Sequence, residues 1–257
     1  DGGQLREGEL GEIRQNANHC SIEIVVVDVR DNMQRLLGKV VDDQTKREIF
    51  SLLYVKTLEM EAHKFRAEYL LQGTLATDLI ESGETGGDTI KKHHNTGLHT
   101  WLKQLQPLRN LFKYEVRGLA RDIGLPRSIY GRMPAPGPGL IIRVVDGPAS
   151  TENLEIVRWA DARATEILKS NDQLRHIDQF GVHLACVPTT GVKGDERSLG
   201  SAIVVRTIKS VDYMTAQGYH LPEGVKMEIE AKLTQHPTIN RVWFDTTPKP
   251  CATIELQ

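Results

Sequence analysis

The run SIEIVVVD, Ser21–Asp28, decides the fold class that we expect for this chain. It is short and rich in β-branched residues, so we interpret it as a buried strand. After it, Asp42–Phe65 is a charged segment whose apolar residues recur at helical spacing. Ala67–Thr74 predicts the next strand and Lys113–Gly124 the next helix. Strand, helix, strand, helix favours an α/β domain in which helices cover a parallel sheet.

The helix predicted over Lys113–Gly124 has the clearest start and stop signals in the chain. One of its faces is apolar, and Asn110 is placed to cap its start. Gly124 and Pro126 are residues that end helices, because glycine adopts the left-handed conformation and proline cannot continue the hydrogen-bond ladder.

The segment MPAPGPG, Met133–Gly139, interrupts the pattern, since three prolines and two glycines exclude a helix or a central strand. We expect it to be a linker or a turn that lines a ligand, and we place a domain boundary there, between residues 1–132 and 133–257. The second part predicts an α+β domain. Its expected strands are Leu140–Val145, Gly181–Val187, Ala202–Thr207, Arg241–Asp245 and Ala252–Leu256, and its expected helices cover Ser150–Lys169 and begin near Pro222.

Composition excludes several classes of function. The chain has 257 residues, is 39% hydrophobic and carries a net charge of -2, so no strong field favours nucleic acid or an anionic membrane. No apolar run reaches the length of about 18 residues that a membrane-spanning helix needs. Three widely separated cysteines, Cys20, Cys186 and Cys251, indicate a reducing compartment, and we expect the protein to be cytoplasmic.

The segment QGTLATDLIESGETGGDTIKKHHN, Gln72–Asn95, combines acids, bases and glycines. It is typical of a lid over a substrate that bears phosphate, although a solvated loop is the alternative. Asp78 and Glu81 are three residues apart and point the same way if they share a helical turn. They are candidate catalytic carboxylates.

The other candidate catalytic residues of this segment are Lys91, His93 and His94. Lys91 is suited to neutralising phosphate, or is an ordinary surface lysine. The histidines titrate near neutral pH and are suited to shuttling a proton. Because adjacent side chains point apart, we do not expect the pair to bind zinc, and we expect no protein metal site.

Seven motifs in order resemble the carboxy-terminal part of the GMP synthase family: QGTLATDLIES, IKKHHN, PLRNLFKYEVRGLARDIGLP, PAPGPGLIIR, GVKGDER, SVDYMTA and KPCATIE. The resemblance implies an ATP-pyrophosphatase domain of the adenine nucleotide α-hydrolase type, followed by a dimerisation domain. It implies that xanthosine monophosphate (XMP) is adenylylated by ATP and that ammonia, released from glutamine, then displaces AMP to give GMP. Mg²⁺ is the implied cofactor.

The resemblance also implies roles for particular residues. Gly73 and Thr74 match the strand end that approaches ATP, although a plain strand-to-loop junction is the alternative. For XMP, the implied contacts are Arg6, Arg143, Lys249, Thr253 and Glu255. Arg143 is otherwise an exposed strand residue. The chain ends in Glu-Leu-Gln where the family has Glu-Trp-Glu, and Ala135 stands where the family has Phe.

Two hallmarks of the family do not occur in these 257 residues, namely the SGGxDS phosphate loop and the glutaminase nucleophile elbow. We therefore expect a fragment that is inactive alone, with glutaminase fused or separate, and a homodimer formed through residues beyond Pro134. One alternative is another enzyme of the pyrophosphatase superfamily, such as NAD synthetase, which lacks the KPxATIE tail. The other is a non-catalytic module that binds nucleotide and dimerises.

Overall fold

A computed structural model describes residues 1–81 and 100–256 of the chain, without the side chain of Glu81. Its helices are α1 (Glu9–His19), α2 (Arg30–Leu37), α3 (Asp43–Phe65), α4 (Ala76–Glu81), α5 (Lys113–Asp122), α6 (Arg127–Tyr130), α7 (Thr151–Ser170) and α8 (Glu223–Leu233), with short 3-10 helices at Gly139–Arg143 and Leu174–His176. Its strands are β1 (Tyr69–Leu71), β2 (Lys103–Leu105), β3 (Val144–Val145), β4 (Gln179–Lys193), β5 (Glu196–Lys209), β6 (Gln217–Gly218) and β7 (Ile239–Asp245). The predicted α/β class is confirmed.

The chain forms two compact units. Unit 1 contains Asp1–Lys46, Met133–Val211 and Thr215–Gln257, and unit 2 contains Arg47–Arg132 and Asp212–Met214. Residues 1–46 thus group with residues beyond 133. The predicted domains, 1–132 and 133–257, were drawn along the sequence and stay a prediction.

The sheet of unit 1 is built around a long hairpin. β4 and β5 pair antiparallel from Gln179↔Ile208 to Lys193↔Glu196, and Gly194 closes the turn with φ +63°. β3 adds to β4 in parallel, while β7 adds in parallel and β6 antiparallel to the other side of β5. The predicted strands at Gly181–Val187, Ala202–Thr207 and Arg241–Asp245 are confirmed.

The start of β4 is buried on both faces, from Gln179 to Ala185. On one face, Val182 and Leu184 lie opposite Val205 and Ile203 and are fully buried with them. Because side chains alternate along a strand, Gln179 and His183 point to the other face. That face therefore holds buried polar groups, and these groups build the candidate site.

Two helices accompany this sheet. α7 begins at Ser150, whose hydroxyl accepts a hydrogen bond from the amide of Asn153 at 3.2 Å. Its apolar side is fully buried at Val157, Ala160 and Ala164, among other positions. α8 begins after Pro222. α7 was predicted from its periodicity and α8 from Pro222 as a residue that starts helices, and both are confirmed.

Unit 2 contains a small parallel pair. β1 and β2 pair from Tyr69↔Lys103 to Leu71↔Leu105. α3 and α5 confirm the two helices predicted there, and α5 is followed by Gly124 with φ +84°. The start of α5 differs from the prediction: the cap is at Phe112, whose amide donates to Glu115 at 2.7 Å, and not at Asn110.

The predicted strand Ser21–Asp28 is wrong. The segment has no regular structure, and Ile22, Val25 and Val26 are exposed. A β-branched run becomes a strand only when another strand satisfies its backbone groups. In the described residues, the end of this segment pairs with Asp1, whose backbone nitrogen donates to the carbonyl of Val27 at 2.6 Å and whose carbonyl accepts from the amide of Val29 at 2.8 Å.

Two further strand predictions are corrected. Residues 140–143 belong to a 3-10 helix, because the PGPG turn brings Gly139 against the backbone of Gln4, and only Val144–Val145 is a strand. A Cβ at Gly139 would lie 2.3 Å from the carbonyl oxygen of Gln4. Ala252–Leu256 forms turns and bends, because its carbonyls bond to a buried arginine instead of a neighbouring strand.

No helix in residues 1–81 and 100–256 combines the length and apolarity that crossing a membrane requires.

Candidate functional site

The centre of the site in unit 1 is the guanidinium of Arg143, which is 2% exposed. Its Nη1 donates to Asp161 Oδ1 at 2.9 Å and its Nε to Glu255 Oε2 at 3.3 Å. A third bond reaches the carbonyl of Phe180 at 3.4 Å. Arg143 is therefore a buried cation between two carboxylates, and the alternative of an exposed strand residue is wrong.

Glu255 is 3% exposed, and both of its carboxylate oxygens are occupied. Oε1 accepts from Gln179 Nε2 at 2.8 Å, and Oε2 lies 3.0 Å from His183 Nε2 and also accepts from Arg143. Burial alone would raise the pKa of the Glu255 carboxyl, but Arg143 and the His183 hydrogen bond outweigh burial and hold that pKa well below its usual range. Glu255 is therefore ionised at neutral pH.

A second buried arginine, Arg206, holds the segment that we call the tail, residues 246–256. Its guanidinium donates to the carbonyls of Ile254 at 2.8 Å, Thr253 at 2.9 Å and Thr247 at 2.7 Å. It also pairs with Asp245 at 2.6 Å. Three carbonyls gathered by one planar cation fix the path of a segment that has no regular structure of its own.

The other predicted contacts of the tail lie on this path. The hydroxyl of Thr253 donates to the carbonyl of Glu255. The backbone of Lys249 pairs with Ala216, with the amide of Lys249 donating at 2.9 Å. Lys249 is partly exposed. The tail therefore presents a lysine near the surface while its glutamate is buried.

Arg6 lines a cavity of about 400 Å³ in unit 1, together with Asp1–Gly3, Arg158 and other residues. Its Nε lies 3.4 Å from Glu9 Oε2, and a quarter of its side chain is exposed. Burial raises the pKa of the Asp161 carboxyl, and the charges of Arg143 and Arg6 partly counteract that rise. The structure thus brings Arg6, Arg143, Thr253 and Glu255 into one unit.

In unit 2, the predicted nucleotide-binding residues follow β1 directly. Gly73 is exposed and Thr74 is fully buried. The side chain of Gln72 accepts from Gln106 at 3.2 Å and Thr74 at 3.4 Å, while its own buried Nε2 has no partner among the described residues. Gln72 was not predicted from the sequence.

Asp78 caps the helix that carries it, since its Oδ2 accepts from the amide of Leu75 at 2.9 Å. α4 contains both Asp78 and Glu81, as the shared helical turn required. Burial and the nearby Arg117 lower the pKa of the Lys113 ammonium, which Asp78 partly counteracts. Lys113 is a cation that the sequence analysis missed; its place at the start of α5, after the LRNLF motif, was the available signal.

Several predicted catalytic groups lie outside the described residues: Lys91, His93, His94 and the side chain of Glu81. Within the described ranges, no group of three or more His, Cys, Asp or Glu side chains is placed to hold a metal ion. Asp78 is engaged as a helix cap, so the described residues do not fit a Mg²⁺ site, and we derive no step through Mg²⁺.

The arrangement in unit 1 suits the recognition of an anionic ligand by a preorganised segment. The buried ion pairs leave Arg143 without free donors toward solvent, whereas Lys249 and Arg6 are partly exposed. Sequence patterns missed Asp161, Gln179, His183 and Arg206. Their signal was a polar residue at a position that strand or helix periodicity assigns to the interior.

The comparisons with known proteins agree with these motifs. Residues 166–256 match the family model described as the GMP synthase C terminal domain. The whole chain is 40% identical over 262 residues to a glutamine-hydrolysing GMP synthase of Aeropyrum pernix, of which it covers 51%. It is 40% identical over 263 residues to that of Halothermothrix orenii, covering 51%, and 38% identical over 265 residues to that of Coxiella burnetii, covering 50%. The chain spans about half the length of the curated relatives it matches.

Proposed function

Because this chain belongs to the GMP synthase family, with residues 166–256 matching its C-terminal domain and relatives aligned over all its residues, we propose that it serves in GMP synthesis and supplies the XMP-binding part. The enzyme class is a carbon–nitrogen ligase with glutamine as the amido donor. The substrates proposed for the complete activity are XMP, ATP and ammonia or glutamine.

The observation that carries this proposal is the anchored tail. Arg143 and Arg206 bury Glu255 and three tail carbonyls, so that Lys249 and Thr253 are held in a defined path before any ligand binds. Preorganised contacts lose little entropy when a ligand binds. Lys249 is the proposed phosphate contact, with Arg6 as a second cation in the same unit.

The proposed reaction has two balanced steps. The C2 oxygen of XMP attacks the α-phosphorus of ATP, and pyrophosphate leaves. Ammonia then attacks C2, AMP leaves, and a proton is lost to give GMP. Gly73 and Thr74 are the proposed ATP contacts. Asp78, Glu81, Lys91, His93 and His94 are the proposed catalytic residues, because charge develops on purine and phosphate oxygens and protons must move.

Calorimetric titration of XMP into the chain tests the proposed binding. We expect saturable binding that Lys249→Gln weakens about tenfold or more, since a charged hydrogen bond to phosphate is lost. Lys169→Gln, which removes an exposed lysine of α7, is the matched control and should bind as the wild type does. Absence of XMP binding by the wild type would refute the proposal.

A second candidate is a module that binds nucleotide and dimerises without turnover. It is favoured by the absence of an SGGxDS sequence from these 257 residues, because backbone donors for pyrophosphate are then lacking. A coupled assay of this chain with XMP, ATP and ammonia tests whether it turns substrate over. We expect negligible GMP formation, and formation at an ordinary enzymatic rate would eliminate the module.

The proposed assembly is a homodimer formed through residues beyond Pro134. Light scattering at micromolar concentration measures it directly, and a monomer would contradict it.

A further inference from the structure

We propose that His183 is a positioning residue that locks the tail through Glu255. This inference rests on the proposed function, since it concerns the tail that carries Lys249. His183 lies on β4, far from the tail in sequence, and it is 1% exposed. No sequence motif pointed to it.

Glu255 depends on several hydrogen-bond donors because it is buried. A carboxylate this deeply buried is stable only if its oxygens are bonded. Arg143 cannot hold it alone, because Arg143 lies closer to Asp161, at 2.9 Å, than to Glu255, at 3.3 Å. The shorter contacts to Glu255 come from Gln179 at 2.8 Å and His183 at 3.0 Å.

Gln179 and His183 are held rigidly by the sheet. Gln179 and His183 are four residues apart on the same face of β4, and β4 is paired with β5 at both positions. A carboxylate bridged between them is tied to the most extensive strand pair of unit 1. These two bonds therefore fix the distance of the Glu255 carboxylate from the sheet.

The bond to Glu255 determines which ring nitrogen of His183 carries a proton. Because an ionised Glu255 accepts hydrogen bonds only, Nε2 of His183 carries the proton that it donates. Nδ1 is buried and has no partner among the described residues. A buried polar atom without a partner is unfavourable for stability. The bond from Nε2 to Glu255 offsets this cost, because an apolar side chain at position 183 would leave the buried carboxylate with one donor fewer.

The consequence extends along the tail. Thr253 donates to the carbonyl of Glu255, and Arg206 ties Thr253 back to Thr247. A displaced Glu255 therefore loosens the end of the tail, residues 253–256, whereas Arg206 and the pairing of Lys249 with Ala216 still hold the part from Thr247 to Lys249. The groups that face the cluster are Arg143, Asp161 and Gln179, together with Glu255 itself.

Hydrogen–deuterium exchange of the unliganded chain tests the lock without any substrate. We expect His183→Leu to raise the exchange rate of the amides at the end of the tail, residues 253–256, about tenfold or more, while the amides of Lys249 and of α7 stay unchanged. His183→Gln retains a donor near the Nε2 position and should restore tail protection to within about threefold of the wild type. His220→Leu, at an exposed histidine of the same unit, is the matched control.

Three outcomes overturn the proposal: tail protection in a folded His183→Leu chain that equals the wild type, no recovery in His183→Gln, or exchange that rises equally in α7. If His183→Leu does not fold, Gln179→Met tests the same carboxylate from its other oxygen. XMP titration is a separate arm, in which His183→Leu should weaken binding about tenfold and His183→Gln should not. If the wild type fails to bind XMP, the proposed function fails, and the exchange result still decides the lock.

Discussion

The two units of this protein differ in how deeply their charged side chains are buried. Unit 1 buries the charged side chains of Lys46, Arg143, Asp161, Arg206 and Glu255 and satisfies them internally. In the described part of unit 2, the buried polar side chains are the neutral Gln72 and Thr74, while Asp78 and Lys113 are partly exposed. Buried ion pairs hold neighbouring groups in a fixed geometry. Unit 1 therefore uses its buried charges to hold the tail in place, whereas the charged residues named in unit 2 are only partly buried.

The largest effect should come from removing the central cation. Arg143→Met leaves Asp161 and Glu255 buried without it, and we expect a loss of about 3–5 kcal/mol in the free energy of unfolding. Urea denaturation followed by circular dichroism measures this loss. The matched control is Arg175→Met, which breaks an ion pair to Asp172 exposed on both sides, and should cost below about 1 kcal/mol. If the two changes lowered the free energy of unfolding equally, burial of the ion pair would not be what makes Arg143 important.

Lys46 tests whether a buried cation without a carboxylate behaves in the same way. Its ammonium donates to the carbonyls of Val144 and Gly147, both at 2.7 Å. Lys46→Met keeps the volume but leaves these carbonyls without their donor, and we expect a loss of about 1–3 kcal/mol in thermal or urea unfolding. Lys39→Met, at an exposed lysine, should change stability by less than about 0.5 kcal/mol.

The pH dependence of stability tests whether the buried carboxylate of Glu255 stabilises unit 1. The pKa of Glu255 is lowered in the folded chain, so its stabilisation is complete above its unfolded pKa of 4.5 and is lost as pH falls below that value. Glu255→Gln removes this dependence. Between pH 7 and pH 3.5, the wild type should therefore lose more stability than Glu255→Gln, by about 1 kcal/mol. Urea titrations at each pH measure the free energy of unfolding. If it fell equally with pH in the two proteins, Glu255 would not be paired in the folded chain.

The smallest effect on stability is expected in unit 2. Asp78→Asn keeps an oxygen that accepts from the amide of Leu75, so we expect a change below about 0.5 kcal/mol. Asp78→Ala removes the cap and should cost about 1 kcal/mol. If Asp78 is catalytic as proposed, both changes abolish GMP formation by the complete enzyme. If Asp78→Asn retained full activity, Asp78 would be a helix cap and not a catalytic residue.

The sequence predicted those elements whose pattern is local. α5 and α7 show helical periodicity, α8 starts after Pro222, and Ser150 and Gly124 act as their sequence suggests. Ser21–Asp28 failed because a strand depends on a pairing partner that no local pattern reveals. Leu140–Val145 failed for a related reason, since the close approach of Gly139 to Gln4 bends the chain before it can extend.

The candidate site shows the same limit. The family motifs located Arg143, Thr253 and Glu255, and the structure brings them together. They did not indicate that Arg143 would also pair with Asp161, nor that His183 and Gln179 would reach a carboxylate more than seventy residues away. Long-range polar pairing is decided by the folded geometry, and a hydrophobic pattern records only that the position is interior.

The order in which the chain acquires its structure follows from the span of its contacts. The hairpin of β4 and β5 joins neighbouring residues through a two-residue turn, so its closure is entropically cheap and rapid. The bond from Arg143 to Glu255 instead links residues 112 positions apart. We therefore expect the tail to dock last during refolding, onto a completed sheet. A protein caught before that moment would expose Arg143 and His183 to water, and its undocked tail would be open to protease attack.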